Sequence, residues 1–335
     1  MSDPAVLLEV EDLSVDFELR GVSVNAIQSV SLKVSAGETV GIVGESGSGK
    51  SVTSLAIMGL IREPGFLRSG AVRIFGQDML KLSSRQRRKY LGRDIAMIFQ
   101  EPTESLNPVF TIAQQIDEAL KRHGGMNRTQ RINRTLELMK IVGMPGPEKT
   151  LRSWPHQLSG GMNQRVMIAM AVACNPSLLI ADEPTTALDV TVQEQILHLL
   201  HKLQQENNMG MIFITHDLSV VSTIADKIIV MYAGQVVEIC ATNDLFQQAL
   251  HPYTEALLKS LPENYSRTNK RMDSIKGSQP GAGETLPGCR FQPRCTYARE
   301  RCRQQAPALN TIENYSSRTV RCFYPLVSDN DTGNT

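Results

Sequence analysis

The stretch GESGSGKS, residues 44–51, carries the spacing G-x-x-x-x-G-K-[ST]. Gly44, Gly47 and Gly49 let the backbone curl until its N–H groups converge on phosphate oxygens. Lys50 brings a positive charge suited to the β and γ phosphates of a nucleotide, and the Ser51 hydroxyl is a ligand for Mg²⁺. Ser46, Ser48 and Val52 count with the expected nucleotide contacts. A second chemical group closes the run LLIADEP, residues 178–184, where paired carboxylates follow apolar residues. Asp182 suits Mg²⁺ held through water, and Glu183 suits the base that polarises an attacking water. His216, at the end of MIFITH, and Gln100, at the end of DIAMIFQ, are further polar residues at strand ends, placed to reach the γ-phosphate, Mg²⁺ or the water. A third feature is Ser159-Gly160-Gly161, just ahead of the apolar-rich VMIAMAVA. That is the composition of a loop feeding a helix N-terminus, and helix N-termini attract anions.

These groups need scaffolds. Residues 6 to about 42 alternate apolar and polar positions, as strands of a half-exposed sheet do. The run VGIV enters the glycine loop and KSVTSLAIMGLI leaves it as a helix, the context the phosphate loop requires. Residues from about 101 to 165 carry amphipathic segments such as TIAQQIDEALKR and QRINRTLELMKIV, which predict a helical insert. Beyond it the pattern is helix, the buried strand SLLIAD, the helix VQEQILHLLHKLQQ, the strand MGMIFITH and a last helix–strand pair. Strands alternating with helices predict an α/β fold with a mostly parallel sheet. From about 245 the character changes. DLFQQALHPYTEALLKSL reads as helix, and ENYSRTNKRMDSIKGSQPGAGETLPG reads as a polar loop or linker. The expected division is therefore a nucleotide-binding domain over 1–244 and a smaller extension over 245–335.

At 335 residues the chain can bury a full core, and its formal net charge of +1 offers no general basic field for nucleic acid. The start MSDPAVLLEVEDL lacks the basic and apolar regions of a signal peptide, and no run reaches the roughly 18 apolar residues of a membrane span. Any membrane role is expected to come through partners. The basic run SSRQRRKYLGR, residues 83–93, reads as a solvated helix face.

Six cysteines in a chain of this length point to a reducing compartment rather than a disulfide scaffold. Cys174 and Cys240 lie in apolar stretches and read as packing residues. Cys289, Cys295, Cys302 and Cys322 form C-x5-C-x6-C-x19-C among arginines. Four thiolates suit zinc or an iron–sulfur cluster, although the spacing is wider than in most zinc ribbons. Unrelated thiols remain an alternative.

The order GESGSGKS, IFQ, LSGGMNQR, LLIADEPTTALD, ITHD resembles the ATP-binding cassette (ABC) ATPases over about residues 6–240. The resemblance implies a P-loop core with N-terminal antiparallel strands, and two cassettes pairing head to tail. Ser159, Gly160 and Gly161 would then face the γ-phosphate of a partner's ATP, with Asp189 across the seam and Phe17 stacking on adenine. The family's signature usually ends in Gln where this chain has Met162. HPYTEALLKSLP, GCRFQPRC and the late RCF resemble the C-terminal extension of ATP-binding subunits from bacterial dipeptide and oligopeptide permeases. That branch implies a second, non-identical ATPase as partner, two transmembrane permease subunits, a periplasmic peptide-binding protein, and a position on the cytoplasmic face of the inner membrane. It also implies a four-iron, four-sulfur (4Fe-4S) cluster on the four cysteines, with zinc as the alternative. Competing expectations are a soluble ABC ATPase of the iron–sulfur assembly type, or an importer of nickel or haem.

Overall fold

The structure is a computed structural model that describes residues 5–19, 21–186, 188–261, 275–281, 284, 286–312 and 315–327. Most of the expected linker, and Ala187 of the TTALD segment, lie outside the described residues. The chain divides into two compact units. One gathers residues up to Leu8, Lys33–Glu38 and Arg73–Ile214; the other gathers Glu9–Leu32, Thr39–Val72 and the chain from Thr215 on.

The N-terminal strands are β1 (Val6–Leu19) and β2 (Val22–Ser35), followed by β3 (Thr39–Val43), β4 (Gly65–Ile74) and the short β5 (Gln77–Asp78). One sheet takes the order β2-β1-β4-β5. Its alternating buried and exposed positions match the alternating sequence.

In the first unit β6 (Ile95–Ile98), β7 (Leu178–Asp182) and β8 (Gly210–Thr215) run parallel, with Ile95 opposite Leu178 and Leu178 opposite Gly210. Every residue of these strands is buried, as continuous apolar runs demand of parallel strands covered on both faces. The predicted helical insert is present as helices Ile112–His123 and Arg128–Ile141, with shorter turns around them. Each begins with a capping box, Thr111 with Gln114 and Asn127 with Gln130, which satisfies N–H groups that a helix start leaves open. Helices Gly160–Ala171 and Val190–Glu206 complete this unit's long helices.

In the second unit β3 pairs parallel with β9 (Lys227–Tyr232), Val40 opposite Lys227. From β9 the pairing turns antiparallel. A tight turn at Ala233-Gly234, both at positive φ, leads into β10 (Gln235–Ala241). β11 (Asn310–Ile312) pairs with β12 (Tyr315–Val320), and β12 pairs with β10, Glu238 opposite Val320. The extension thus adds strands to the sheet.

The stretch read as one helix over DLFQQALHPYTEALLKSL is two, Thr242–Gln247 and Pro252–Lys259. The break falls at HPYT because Pro252 has no N–H to continue a helix and suits a first turn. His251 caps the second helix, accepting at Nδ1 from the Tyr253 N–H at 3.0 Å.

Candidate active site: a phosphate cradle, a held carboxylate and a signature turn

The buried strand β3 delivers the glycine loop, and helix Lys50–Met58 leaves it. Gly49, at φ 99°, is the helix N-cap, and no side chain caps the first turn, so its N–H groups point at whatever occupies the cradle. A Cβ on Gly49 would stand 2.7 Å from Ile27 Cγ2, so no larger residue fits there. Lys50, 4% exposed, donates to the carbonyls of Gly44 (2.8 Å) and Glu45 (3.1 Å). Its charge therefore sits inside the curl of the loop. The Ser48 hydroxyl is buried without a hydrogen-bond partner, as expected of a cradle whose remaining acceptor is a ligand. Ser46 and Gly47 are exposed, Ser51 and Val52 half-buried. These residues fit a nucleotide triphosphate with its Mg²⁺.

Phe17 is half-buried, its ring against the Gly65 backbone, where a Cβ would lie 2.6 Å from Cε1. His216 is exposed just past β8, ahead of Asp217, whose carboxylate caps helix Leu218–Ile224.

In the first unit Asp182 ends β7 in a buried position and Glu183 follows at φ 46°. A left-handed backbone at a residue with a side chain is strained and tends to mark functional positions. Here it turns the Glu183 carboxylate to accept from Gln100 Nε2 (3.2 Å) and Thr186 Oγ1 (2.9 Å). The structure thus brings together Gln100 and Glu183, which the sequence separates by 83 positions. Thr186 was missed in the sequence. The threonines of EPTT were visible, but nothing in the spacing says that a hydroxyl returns to the carboxylate.

Ser159 caps helix Gly160–Ala171, accepting from the Met162 N–H at 3.4 Å. Ser159 and Gly160 are exposed. Asp189 caps Val190–Glu206, accepting from the Val192 N–H at 2.9 Å. A Cβ on Gly161 would lie 2.9 Å from Val192 Cγ1, so the two expected seam elements pack together. Met162 contributes a backbone N–H to the cap, a role independent of its side chain.

The expected iron–sulfur cluster, and zinc with it, is not supported. Among the described residues no group of three or more His, Cys, Asp or Glu side chains could hold a metal ion. Cys289, Cys295, Cys302 and Cys322 do line one cavity, with His251, Phe291 and Tyr324, but its free volume of about 20 Å³ suits a single water-sized body. Burial also pushes the Cys289, Cys295 and Cys322 thiols up, Cys295 to about 11 and Cys322 to about 12, whereas metal ligation takes thiolates. All of the chain's cysteines are free thiols.

A phosphate loop leaving a parallel strand, a carboxylate pair ending another, and a glycine signature on a helix start define an ABC-type ATPase. A family model described as ABC transporter matches residues 27–186, and one described as the oligopeptide/dipeptide transporter C-terminal region matches 237–302. The dipeptide transport ATP-binding protein DppD of Haemophilus influenzae is 52% identical over 98% of this chain and 97% of that protein. The oligopeptide transport ATP-binding protein AppD of Bacillus subtilis is 48% identical over 95% of this chain and 97% of its own length. Among solved structures, the dimeric ABC transporter cassette MJ0796 superposes with a TM-score of 0.64 at 31% identity, covering 70% of this chain and 99% of that one. The chain belongs to the ATP-binding, ATP-hydrolysing subunits of ABC transporters, in their oligopeptide/dipeptide branch. The relatives described above are named for dipeptide and oligopeptide transport, and they lend no support to the nickel, haem or iron–sulfur assembly alternatives.

Proposed function

We propose that this chain energises uptake of dipeptides or short oligopeptides, working as one of two unlike ATPases beneath two transmembrane permease subunits fed by a periplasmic peptide-binding protein. The reading places it on the cytoplasmic face of the inner membrane as a peripheral subunit. Among the described residues no helix is long and apolar enough to cross a membrane, so attachment goes through partners. Residues 1–244 are taken as the nucleotide-binding domain and 245–335 as the extension that assigns the chain to the peptide branch.

The observation that carries the hydrolytic part is the Glu183 carboxylate fixed by Gln100 and Thr186. A carboxylate held by these donors keeps one orientation, the condition for a general base that takes a proton from water. Lys50 and the loop N–H groups bind the phosphates; Ser51, Gln100 and Asp182 hold Mg²⁺, which neutralises charge developing on the phosphoryl oxygens. His216 contacts the γ-phosphate or orients the water, and Phe17 stacks on adenine. Ser159, Gly160 and Gly161 close over a partner's triphosphate, with Asp189 at the seam, so that ATP draws the cassettes together and hydrolysis releases them.

The test is uptake of a radiolabelled dipeptide by cells lacking the chromosomal copy. The wild-type chain restores uptake and Glu183→Gln does not. Uptake equally supported by Glu183→Gln would overturn the proposal.

A further inference from the structure

Glu45, the second residue of the phosphate loop, is gripped by chain that lies far beyond it in sequence. Its carboxylate Oε2 accepts from Arg294 (2.9 Å) and from Gln279 Nε2 (3.1 Å), and its backbone N–H donates to the Tyr253 hydroxyl (2.9 Å). Its carbonyl in turn accepts from Lys50 and from the Ser48 N–H. The Glu45 Oε2 and backbone N–H thus connect the extension to the loop, and its carbonyl connects the loop to its lysine.

Arg294 is built for this contact. Its side chain is 5% exposed, its Nε donates to the Lys276 carbonyl at 3.0 Å, and the guanidinium overlies the Tyr232 ring at 5.7 Å. Four positions earlier Arg290 donates to the Ala233 carbonyl and to Gln28 Oε1 (2.7 Å). That turn's Gly234 N–H donates to the Ser48 carbonyl at 2.9 Å. Phe291, between the arginines, packs against Tyr232 (5.2 Å) and Tyr253 (5.4 Å). A short segment therefore braces the loop at two points from one aromatic cluster.

Arginine buried this deeply survives only if its donors are met, and among the described residues its ion-pair partner is the loop carboxylate. A glycine-rich loop has the most conformational freedom to lose on ordering, and a ligand binds more tightly to a loop already held in its bound form. We infer that Arg294 is a positioning residue for the nucleotide: acting through Glu45, with Gln279 and Tyr253, it holds the phosphate loop as a cradle and makes the extension part of the ATP site. This rests on the ATP-site reading above.

The test is binding of a fluorescent ATP analogue with Mg²⁺ to the full-length protein. Arg294→Ala should weaken affinity about tenfold, the scale of one hydrogen bond to a charged group. Glu45→Gln should do the same, the double variant should be no worse than either, and Arg294→Lys should recover most of the loss. In the assembled transporter the KM for ATP should rise while kcat holds, and amide exchange over residues 44–51 should quicken. Wild-type affinity in Arg294→Ala, or losses that add in the double variant, would overturn the inference. If Arg294→Ala does not fold, Glu45→Gln and Arg294→Lys decide, and wild-type affinity in both overturns it. Lys50→Ala separates the two levels: if it binds the analogue like wild type, the ATP-site reading itself fails.

Discussion

In the proposed function Glu183 is the base, and its geometry sets the expected kinetics. Glu183→Gln keeps the shape and loses the base, so ATP binding should persist while phosphate release falls by ~10²–10⁴, as stopped-flow phosphate detection would report. Thr186→Val removes a hydrogen bond that holds the carboxylate. It should lower kcat about tenfold, on the order of one lost hydrogen bond to a charged group, and leave the KM for ATP unchanged; steady-state ATPase assays separate the two. The glycines, Lys50 and the paired carboxylates were legible because their chemistry requires those types at that spacing. Thr186 and Arg294 were not. Their partners are chosen by a backbone turn at Glu183 and by a contact across 249 positions, and neither leaves a local mark.

Among the elements, the antiparallel join of β10 to β12 depends on a buried ion pair. Arg318, 2% exposed, donates to Glu238 at 2.7 Å, and Glu238, fully buried, also accepts from the N–H groups of Leu250 and His251 at 2.9 Å. Removing one member leaves the other charged and unmatched, so Arg318→Ala should cost about 3–5 kcal/mol, measured by urea unfolding. His251 adds a pH dependence. Its Nδ1 accepts from Tyr253, and burial lowers its pKa to about 3. The unfolded chain takes up this proton near pH 6.5 and the folded chain does not until about pH 3, so stability is present above 6.5 and lost as pH falls toward 3. His251→Asn keeps a capping oxygen but cannot titrate, and its urea midpoint should fall less between pH 7.5 and 5 than that of the wild type. The parallel strands were readable as continuous apolar runs. The extension's strands were not, because β12 pairs with a strand some eighty positions earlier, and long-range pairing has no periodic signature of its own.

For the whole molecule, the decisive behaviour is ATP-dependent association. Ser159→Asp separates stability from function, since aspartate caps a helix as well as serine does but sets a carboxylate where a triphosphate must dock. Thermal stability should stay within about 1 kcal/mol, while association of a Glu183→Gln background with its partner ATPase in the presence of ATP should disappear on size-exclusion chromatography. The signature turn was legible as a loop feeding a helix start, which Ser159 caps. The proposal that it faces an anion held by another chain came through family resemblance, because one sequence does not show a second subunit.

The seam between β10 and β12 also governs how this protein can be shortened. Every residue proposed above to contact phosphate precedes Leu261, which invites a trimmed version for biophysical work. Such a version would uncover the outer rim of β10 around Glu238 and Ile239 and strand the Glu238 carboxylate in an oily interior. An open strand rim recruits strands from neighbouring molecules, so the trimmed protein should come out of solution as aggregates, with its nucleotide chemistry formally intact in sequence and lost in practice.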